Sequence, residues 1–489
     1  MTIETTHAFK AGTLVLALSL SACANLAGIT PQSSPRDAAS LGLGAGPADQ
    51  NVASIDADWW RAFGDDSLNR LIAQALASSP SLKLAQARLA RAQAATGVAD
   101  AASLPQVNAG LDATRQLFTQ NGLIPPPLAG TIRETGTLQL SASWELDFFG
   151  KNRAALDAAL GTAKAAQADA QAARVLLASQ VARSYVQLAR LNDQVTVARR
   201  MLAQREATLR LVRDRVDAGL DTRLELRQSE GGLPEARQQI VALQEQLALT
   251  RNALAALVGQ PDSGQALGSP TLSTIRNLAF SPLIPADLLG RRADIVAARW
   301  RVEASTQDVL YARTQFYPNV NLVAFAGFSS IGLDRLLESG SQQWGVGPAL
   351  RLPVFEGGRL RANLRGKTAE LDAAVESYNA SVIEAVHEVA DQVASAQSIT
   401  QQQTEQQAAQ AAAESAYEIA VQRYQAGLGN YLQVLAAETP VLQQRRQALD
   451  LQARALDTQV ALIRALGGGY GNSVVASGAS GVNATVAQK

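Results

Sequence analysis

The clearest pattern along the chain is an alternation. Across residues 137–147, Leu138, Leu140, Ala142, Trp144 and Leu146 alternate with Gln139, Ser141, Ser143, Glu145 and Asp147. A period of two predicts a strand with one apolar and one polar face. Residues 104–118, 317–330 and 343–355 are the other strand candidates. Each is about 14 residues, roughly 46 Å at 3.3 Å per residue, which is long for a soluble strand. Tilted by about 40°, such strands span an outer-membrane hydrocarbon core. Phe118, Trp144, Phe148, Phe149, Phe316, Tyr317, Phe325, Phe328, Trp344 and Phe355 cluster in and beside them, as interfacial girdles require. The soluble alternative is two hairpins packed on a helical core. Four strands cannot close a barrel, since the smallest membrane barrels have about eight. An open edge in lipid leaves unpaired backbone groups costing several kcal/mol each. Spanning strands therefore oblige several chains to share one barrel.

The segments after the strand pairs read as helix. Residues 151–218 contain no proline and one internal glycine, Gly161, and predict a helix of roughly 100 Å at 1.5 Å per residue. Residues 358–426 repeat that length, with Gly366 as the early interruption. Gly219 and Gly427 stand at the C′ position of each and predict a tight reversal. Returning helices are expected at about 222–258 and 430–466, and a helix before the strands at about 81–103. Ala/Gln/Leu-rich helices also suit a filamentous coiled coil. Apolar positions such as Val181, Tyr185, Val186, Leu188 and Leu191 spread over more than one seam, however, which favours helices with neighbours on two sides.

This order occurs twice. Leu82-Lys83-Leu84-Ala85 through Leu104-Pro105-Gln106-Val107-Asn108 lines up with Ile295-Val296-Ala297-Ala298 through Tyr317-Pro318-Asn319-Val320-Asn321. Arg215-Val216-Asp217-Ala218-Gly219-Leu220 matches Arg423-Tyr424-Gln425-Ala426-Gly427-Leu428, and Leu257-Val258-Gly259 matches Ala465-Leu466-Gly467. The chain is a duplicated unit. The first repeat covers 55–260 (helix, two strands, long helix, returning helix) and the second 291–466. A Gly/Pro/Ser-rich connector at 261–290 joins them, and residues 467–489 are expected to form a flexible tail.

The N-terminus reads as an address. An apolar run over residues 11–20 is too short for a bilayer span, which needs about 20 residues, but suits a signal-peptide core. Leu20-Ser21-Ala22-Cys23 resembles the bacterial lipobox. Residues 1–22 are then a signal peptide, Cys23 the lipidation (palmitate) site and 23–54 a lipidated tether. A plain secretory signal with an incidental cysteine is the alternative. Ala24 stands where an aspartate retains such lipoproteins at the inner membrane, which favours outer-membrane delivery.

Composition removes most other functions. Residues of the hydrophobic class make up 47%, which excludes global disorder. Lys+Arg and Asp+Glu both number 43, so the chain carries no electrostatic footprint for nucleic acid. One cysteine and two histidines leave no disulfide framework and no Cys/His zinc set. Cys/His or Ser/His catalysis would have to use His7, in the predicted signal, or His387, in mid-helix without a nucleophile motif. The chain reads as a non-enzyme with no metal and no cofactor.

The lipobox, the duplicated halves, Leu283-Ile284-Pro285-Ala286-Asp287-Leu288-Leu289 followed by Arg291-Arg292-Ala293-Asp294-Ile295, and the two Arg-x-x-x-Gly-Leu turns together resemble the TolC-like outer-membrane factors. Most similar are the NodT-type efflux lipoproteins of tripartite RND pumps, over nearly the whole mature chain. The resemblance implies an α+β membrane protein with four transmembrane strands and long helices per chain. It further implies a homotrimer, in which a 12-stranded β-barrel continues into a 12-helix periplasmic tunnel with an equatorial belt. The function so implied is a passive outer-membrane conduit exporting drugs or other small toxic compounds from periplasm to exterior. Its partners would be outer-membrane lipid, a periplasmic adaptor (membrane fusion) protein and an inner-membrane RND transporter that supplies the energy. A type I protein-secretion conduit is the alternative within the class, and a structural periplasm-spanning lipoprotein the alternative outside it.

Site candidates gather at the two turns. Leu220 and Leu428 on tight glycine turns are small apolar knobs suited to a partner helix hairpin. Arg215, Gly219, Leu220, Arg423, Gly427 and Leu428 are therefore the candidate adaptor contacts. The chain departs from the family pattern at Ala293, where proline is common, and at Gly231-Gly232-Leu233-Pro234, where a kink is expected. It departs again at Gly429, a position often acidic in relatives. The gate candidates are Asp221, Arg223, Tyr424, Asn430 and Tyr431. Three copies of Asp221 would form an acidic ring, eased by cations or Arg223, while tyrosine packing constricts the tip.

Overall fold

The computed structural model describes residues 27–36, 55–260, 268–278 and 292–470. Cys23, the signal peptide, Arg291, and most of the connector and tail lie outside the described residues. A 3-10 turn at Trp59–Phe63 precedes α1 (Asp66–Ser78), α2 (Pro80–Ala101), β1 (Gln106–Leu117), β2 (Ile132–Leu146), α3 (Lys151–Asp217) and α4 (Arg223–Val258). The second half contains α5 (Ala293–Thr314), β3 (Asn319–Ile331), β4 (Gln342–Arg351), α6 (Arg359–Gln425) and α7 (Tyr431–Ala465). The two long helices are both 67 residues. Glycines at positive φ end them, as Gly219 (72°) and Gly427 (74°) do. No described helix is long and apolar enough to cross a membrane.

Two compact units each draw on both repeats. Among the described residues, one holds 27–35, Arg88–Ala166 and Ala297–Tyr378; the other holds 36, 55–87, 167–260, 268–278, 292–296 and 379–470. In the first, the strands form one antiparallel sheet in the order β1-β2-β3-β4. Cross-strand partners share a face. Leu138 pairs with Leu111 and Phe328, Leu140 with Ala109 and Ala326, and Trp144 with Leu322. On β4, Trp344, Val346 and Leu350 extend the same apolar face, exposed to the surroundings. The opposite face carries Thr137, Gln139, Ser141 and Ser143 of β2 beside Asp112, Gly110, Asn108 and Gln106 of β1.

The girdle expectation needs three corrections. Phe118 and Phe316 are buried, Phe316 against Ile29, Val309 and Leu364. Phe325 pairs with Ser141 and Gly345 and so lies on the polar face. Part of the expected tether is also packed. Ile29 is buried with Phe316, and the Gln32 and Ser33 amides both donate to Asp372 Oδ1, at 2.8 and 2.9 Å. Gly161 lets α3 approach α5, since a Cβ there would lie 3.0 Å from Ala304 Cβ.

The second unit has the larger core. Trp59, Trp60, Phe63, Leu68 and Ile72 pack with Val181, Tyr185 and Leu188 of α3, Leu254 of α4 and Leu456 and Val460 of α7. Asp65 caps α1 by accepting from the Ser67 and Leu68 amides at 2.8 and 3.0 Å. Its other oxygen accepts from the Tyr185 hydroxyl at 2.9 Å. Arg292 is buried, donating to Asp294 at 2.7 Å and Glu388 at 2.8 Å. Burial alone would lower its pKa, but hydrogen bonds to Asp294 and Glu388 reverse that, and the guanidinium stays charged. Residues 467–470, expected at the head of a flexible tail, are instead docked. A Cβ on Gly469 would lie 2.4 Å from the Asp56 carbonyl oxygen, and one on Gly468 2.4 Å from Val175. The segment Gly231–Pro234 remains helical within α4. Arg205, bound to Glu438 at 3.0 Å, donates to the Gly232 carbonyl at 2.8 Å.

Candidate functional site at the helix turns

Both turns close with the same pair of hydrogen bonds. Leu220 N–H donates to the Arg215 carbonyl at 2.8 Å and Gly219 N–H to Val216 at 3.0 Å. Leu428 N–H donates to Arg423 at 2.8 Å and Gly427 N–H to Tyr424 at 3.1 Å. This pairing satisfies the last helical carbonyls and requires the left-handed glycine. The next helix starts at once. Thr222 forms a capping box with Glu225 at the head of α4, and Asn430 accepts from the Gln433 amide at 3.1 Å at the head of α7.

Between the turns lies one half-buried network. Arg215 Nε and Nη2 donate to the two oxygens of Asp221 at 3.0 and 3.3 Å, and Nη1 donates to the Tyr424 carbonyl at 3.2 Å. The guanidinium lies 4.6 Å from the centroid of the Tyr424 ring. The Tyr424 hydroxyl donates to Asp221 Oδ2. Tyr424 is 1% exposed and packs with Val212, Tyr431 and Val434. Burial acts to raise the Asp221 pKa, but hydrogen bonds from Arg215 and Tyr424 outweigh it and hold the carboxyl below its ordinary value. Burial first, and Asp221 second, push the Tyr424 phenol above its ordinary value, so it remains a donor.

These positions revise the gate expectation. Arg215, rather than Arg223, neutralises Asp221, and the carboxylate is already paired within one chain. Arg223 and Asn430 are exposed. Tyr424 and Tyr431 are buried between helices of the chain instead of projecting from the tip. Arg423 donates to its own turn, at the Leu428 carbonyl, 3.2 Å away. Leu220 and Leu428 are 65% and 70% exposed. The sequence reading missed Leu224 and Leu432, which are also exposed, one helical turn beyond each knob. Their signal was present: a leucine stands four residues after Leu220 and after Leu428 alike.

Known proteins share this architecture. The outer membrane efflux protein family model matches residues 71–260 and 284–468, one match in each half. The fusaric acid resistance protein FusA of Burkholderia cepacia is 39% identical over 369 residues, covering 73% of this chain and 70% of that protein. The multidrug resistance outer membrane protein MdtQ of Escherichia coli is 32% identical over 459 residues, covering 91% and 96%. The crystal structure of the outer membrane protein VceC from Vibrio cholerae superposes with a TM-score of 0.79 at 39% identity, covering 85% of this chain and 99% of that one. With two family matches, and with MdtQ and VceC matched along nearly all of their lengths, this chain belongs to the outer membrane efflux protein family and is an outer-membrane channel component of an efflux system, not an enzyme.

Proposed function

We propose that three copies of the chain assemble into one passive conduit that exports drugs or other small toxic compounds from the periplasm. The observation that carries this is the sheet. It has four strands, an apolar face and a polar face, and among the described residues β1 and β4 have no outer neighbour. Edges of this kind are satisfied when β4 of one copy pairs with β1 of the next, and three copies supply twelve strands. The apolar face then meets lipid and the polar face lines the passage. Resistance to several drugs and to fusaric acid, in the names of MdtQ and FusA, supports small-molecule cargo. Cys23 carries the lipid anchor. Leu220, Leu224, Leu428 and Leu432 meet the hairpin of a periplasmic adaptor, which couples the conduit to an inner-membrane RND transporter. The Arg215–Asp221–Tyr424 network holds the periplasmic end shut until the adaptor engages.

The test is assembly and conductance. Protein extracted in mild detergent should run as a heat-sensitive trimer and form pores in planar bilayers. Monomers without pore activity would overturn the reading. For the anchor, Cys23→Ala should abolish labelled palmitate incorporation, and persistent labelling would place the lipid elsewhere.

A further inference from the structure

The polar face of the sheet carries a single aromatic ring among the described strands. Along β3, Asn321, Val323, Phe325, Gly327 and Ser329 alternate onto that face. Phe325 stands in register between Ser141 on β2 and Gly345 on β4. A Cβ built on Gly345 would come within 2.6 Å of Phe325 Cε1 and 2.9 Å of Cζ. The ring therefore lies across β4 at a residue without a side chain, and any other residue at 345 would lift it. The row on one side is polar: Gln343 Nε2 donates to Gln139 Oε1 at 3.1 Å across Gly327. The row on the other side carries Val323 between Ser143 and Gly347. Phe325 is still 40% exposed although ring atoms lie over Gly345, so part of the ring is uncovered. A flat aromatic surface with amides one row away is a stacking platform, and stacking does not require a specific partner beyond a flat apolar face.

We propose that Phe325 is a stacking station on the inner wall of the conduit, which transiently holds flat aromatic solutes as they leave. This rests on the reading that the polar face lines the passage; three copies would then present three rings at one level. Conduction requires solutes to bind weakly enough to leave. One aromatic contact of ordinary strength prolongs residence by about 2- to 10-fold, which meets that condition. The simpler role, a ring that only covers Gly345, makes a different forecast.

The experiment uses the full-length protein in planar bilayers. The blockers, added from the barrel side, are ethidium, a flat aromatic cation, and tetrapropylammonium, a cation without a flat face. Ethidium block times are expected to shorten by about 2- to 10-fold in Phe325→Leu and Phe325→Ser and to persist in Phe325→Tyr, with tetrapropylammonium block equal in all four proteins. Leucine still covers Gly345, so wild-type ethidium block in Phe325→Leu would reduce the ring to packing and overturn the proposal. Equal shortening for tetrapropylammonium would overturn it as well, by showing a change of pore width. Wild-type protein without any pore would instead sink the conduit reading, a result separable from the other two.

Discussion

At the first turn Leu220 N–H closes on the Arg215 carbonyl, and at the second Leu428 N–H closes on Arg423, each at 2.8 Å. The surroundings differ. Asp221 of the first turn corresponds to Gly429 in the second, while Tyr424 and Tyr431 of the second correspond to Val216 and Arg223 in the first. The first repeat therefore supplies the charges and the second supplies the rings, and neither makes the network alone. Duplication has kept the backbone solution, which depends on an arginine-to-glycine spacing and a positive φ, and has divided the side-chain chemistry between the copies. A Cβ on Gly429 would lie 2.8 Å from Gln433 Oε1, the end of a flexible side chain. The second turn thus has room for a side chain that it does not carry.

The largest loss of stability at the tip is expected from Tyr424→Ala. It empties a site packed by Val212, Tyr431 and Val434 and removes the donor to Asp221. Aromatic-to-alanine changes in cores cost about 3–5 kcal/mol. Amide hydrogen exchange over residues 417–434 should accelerate, while Tyr424→Phe, which keeps the ring, should lose only about 1.5–3 kcal/mol. Equal acceleration in both variants would assign the effect to the hydrogen bond and not to packing.

Asp221→Asn comes next. It leaves Arg215 without its anionic partner, and a hydrogen bond to a charged group contributes about 1.5–3 kcal/mol. The first turn should loosen most; the second, where Tyr424 faces a weaker acceptor, should loosen less, because its own Arg423 still closes it. The pH dependence has the same origin. Because the folded carboxyl sits below its ordinary value, its contribution is complete above about pH 4 and is lost as pH falls through the lowered value. Exchange at the first turn, corrected for intrinsic rates, should be flat from about pH 8 to 5 and rise only in stronger acid. A rise near pH 6 would mean that another group controls the tip.

How much of this could be read from the sequence follows the range of each interaction. The strands, both long helices and the two glycine turns were legible because alternation, proline-free runs and C′ glycines are local signals. The apolar face of the sheet was visible in β2 alone. The first helix, α1, was overlooked although Asp65 followed by Leu68, Leu71, Ile72 and Ala75 has the spacing of a capped helix. The pairing of Arg215 with Asp221 spans six residues and was reachable; its closure by Tyr424, 203 residues away, was not. Clustering in sequence counts Phe325 among the interfacial girdle aromatics, and only its register with Ser141 and Gly345 puts it on the polar face. The docking of residues 467–470 depends on the backbone of Asp56 and Ala57, for which a glycine run gives no hint.

Gly429→Asp sharpens the comparison by giving the second turn the acid of the first. The flexible Gln433 amide can yield, so a stability change within about 0.5 kcal/mol is expected, as for most surface substitutions. The new carboxylate would have no buried tyrosine partner and would be open to solvent beside the exposed turn. In planar bilayers, divalent cations should block Gly429→Asp more strongly than wild type and Asp221→Ala no less than wild type, since the native Asp221 is already neutralised by Arg215. Cation block that falls in Asp221→Ala would show that the native carboxylate faces the passage after all.

The smallest effect on stability, and the largest on function, is expected from Leu220→Glu combined with Leu428→Glu. Both side chains are mostly exposed, and their backbone amides, not their side chains, close the turns. Folding and trimer yield should therefore match wild type. An apolar knob that meets a partner helix cannot accept a carboxylate without leaving a charge buried at the interface, which costs far more than the lost contact. Resistance to exported drugs and crosslinking to the adaptor should both disappear. Each single substitution separates the turns: if the two repeats contribute equally, either alone lowers resistance by a similar factor. If only Leu428→Glu acts, docking belongs to the second repeat, and the charged turn serves closure alone. Full resistance in the double variant would remove both leucines from the adaptor interface.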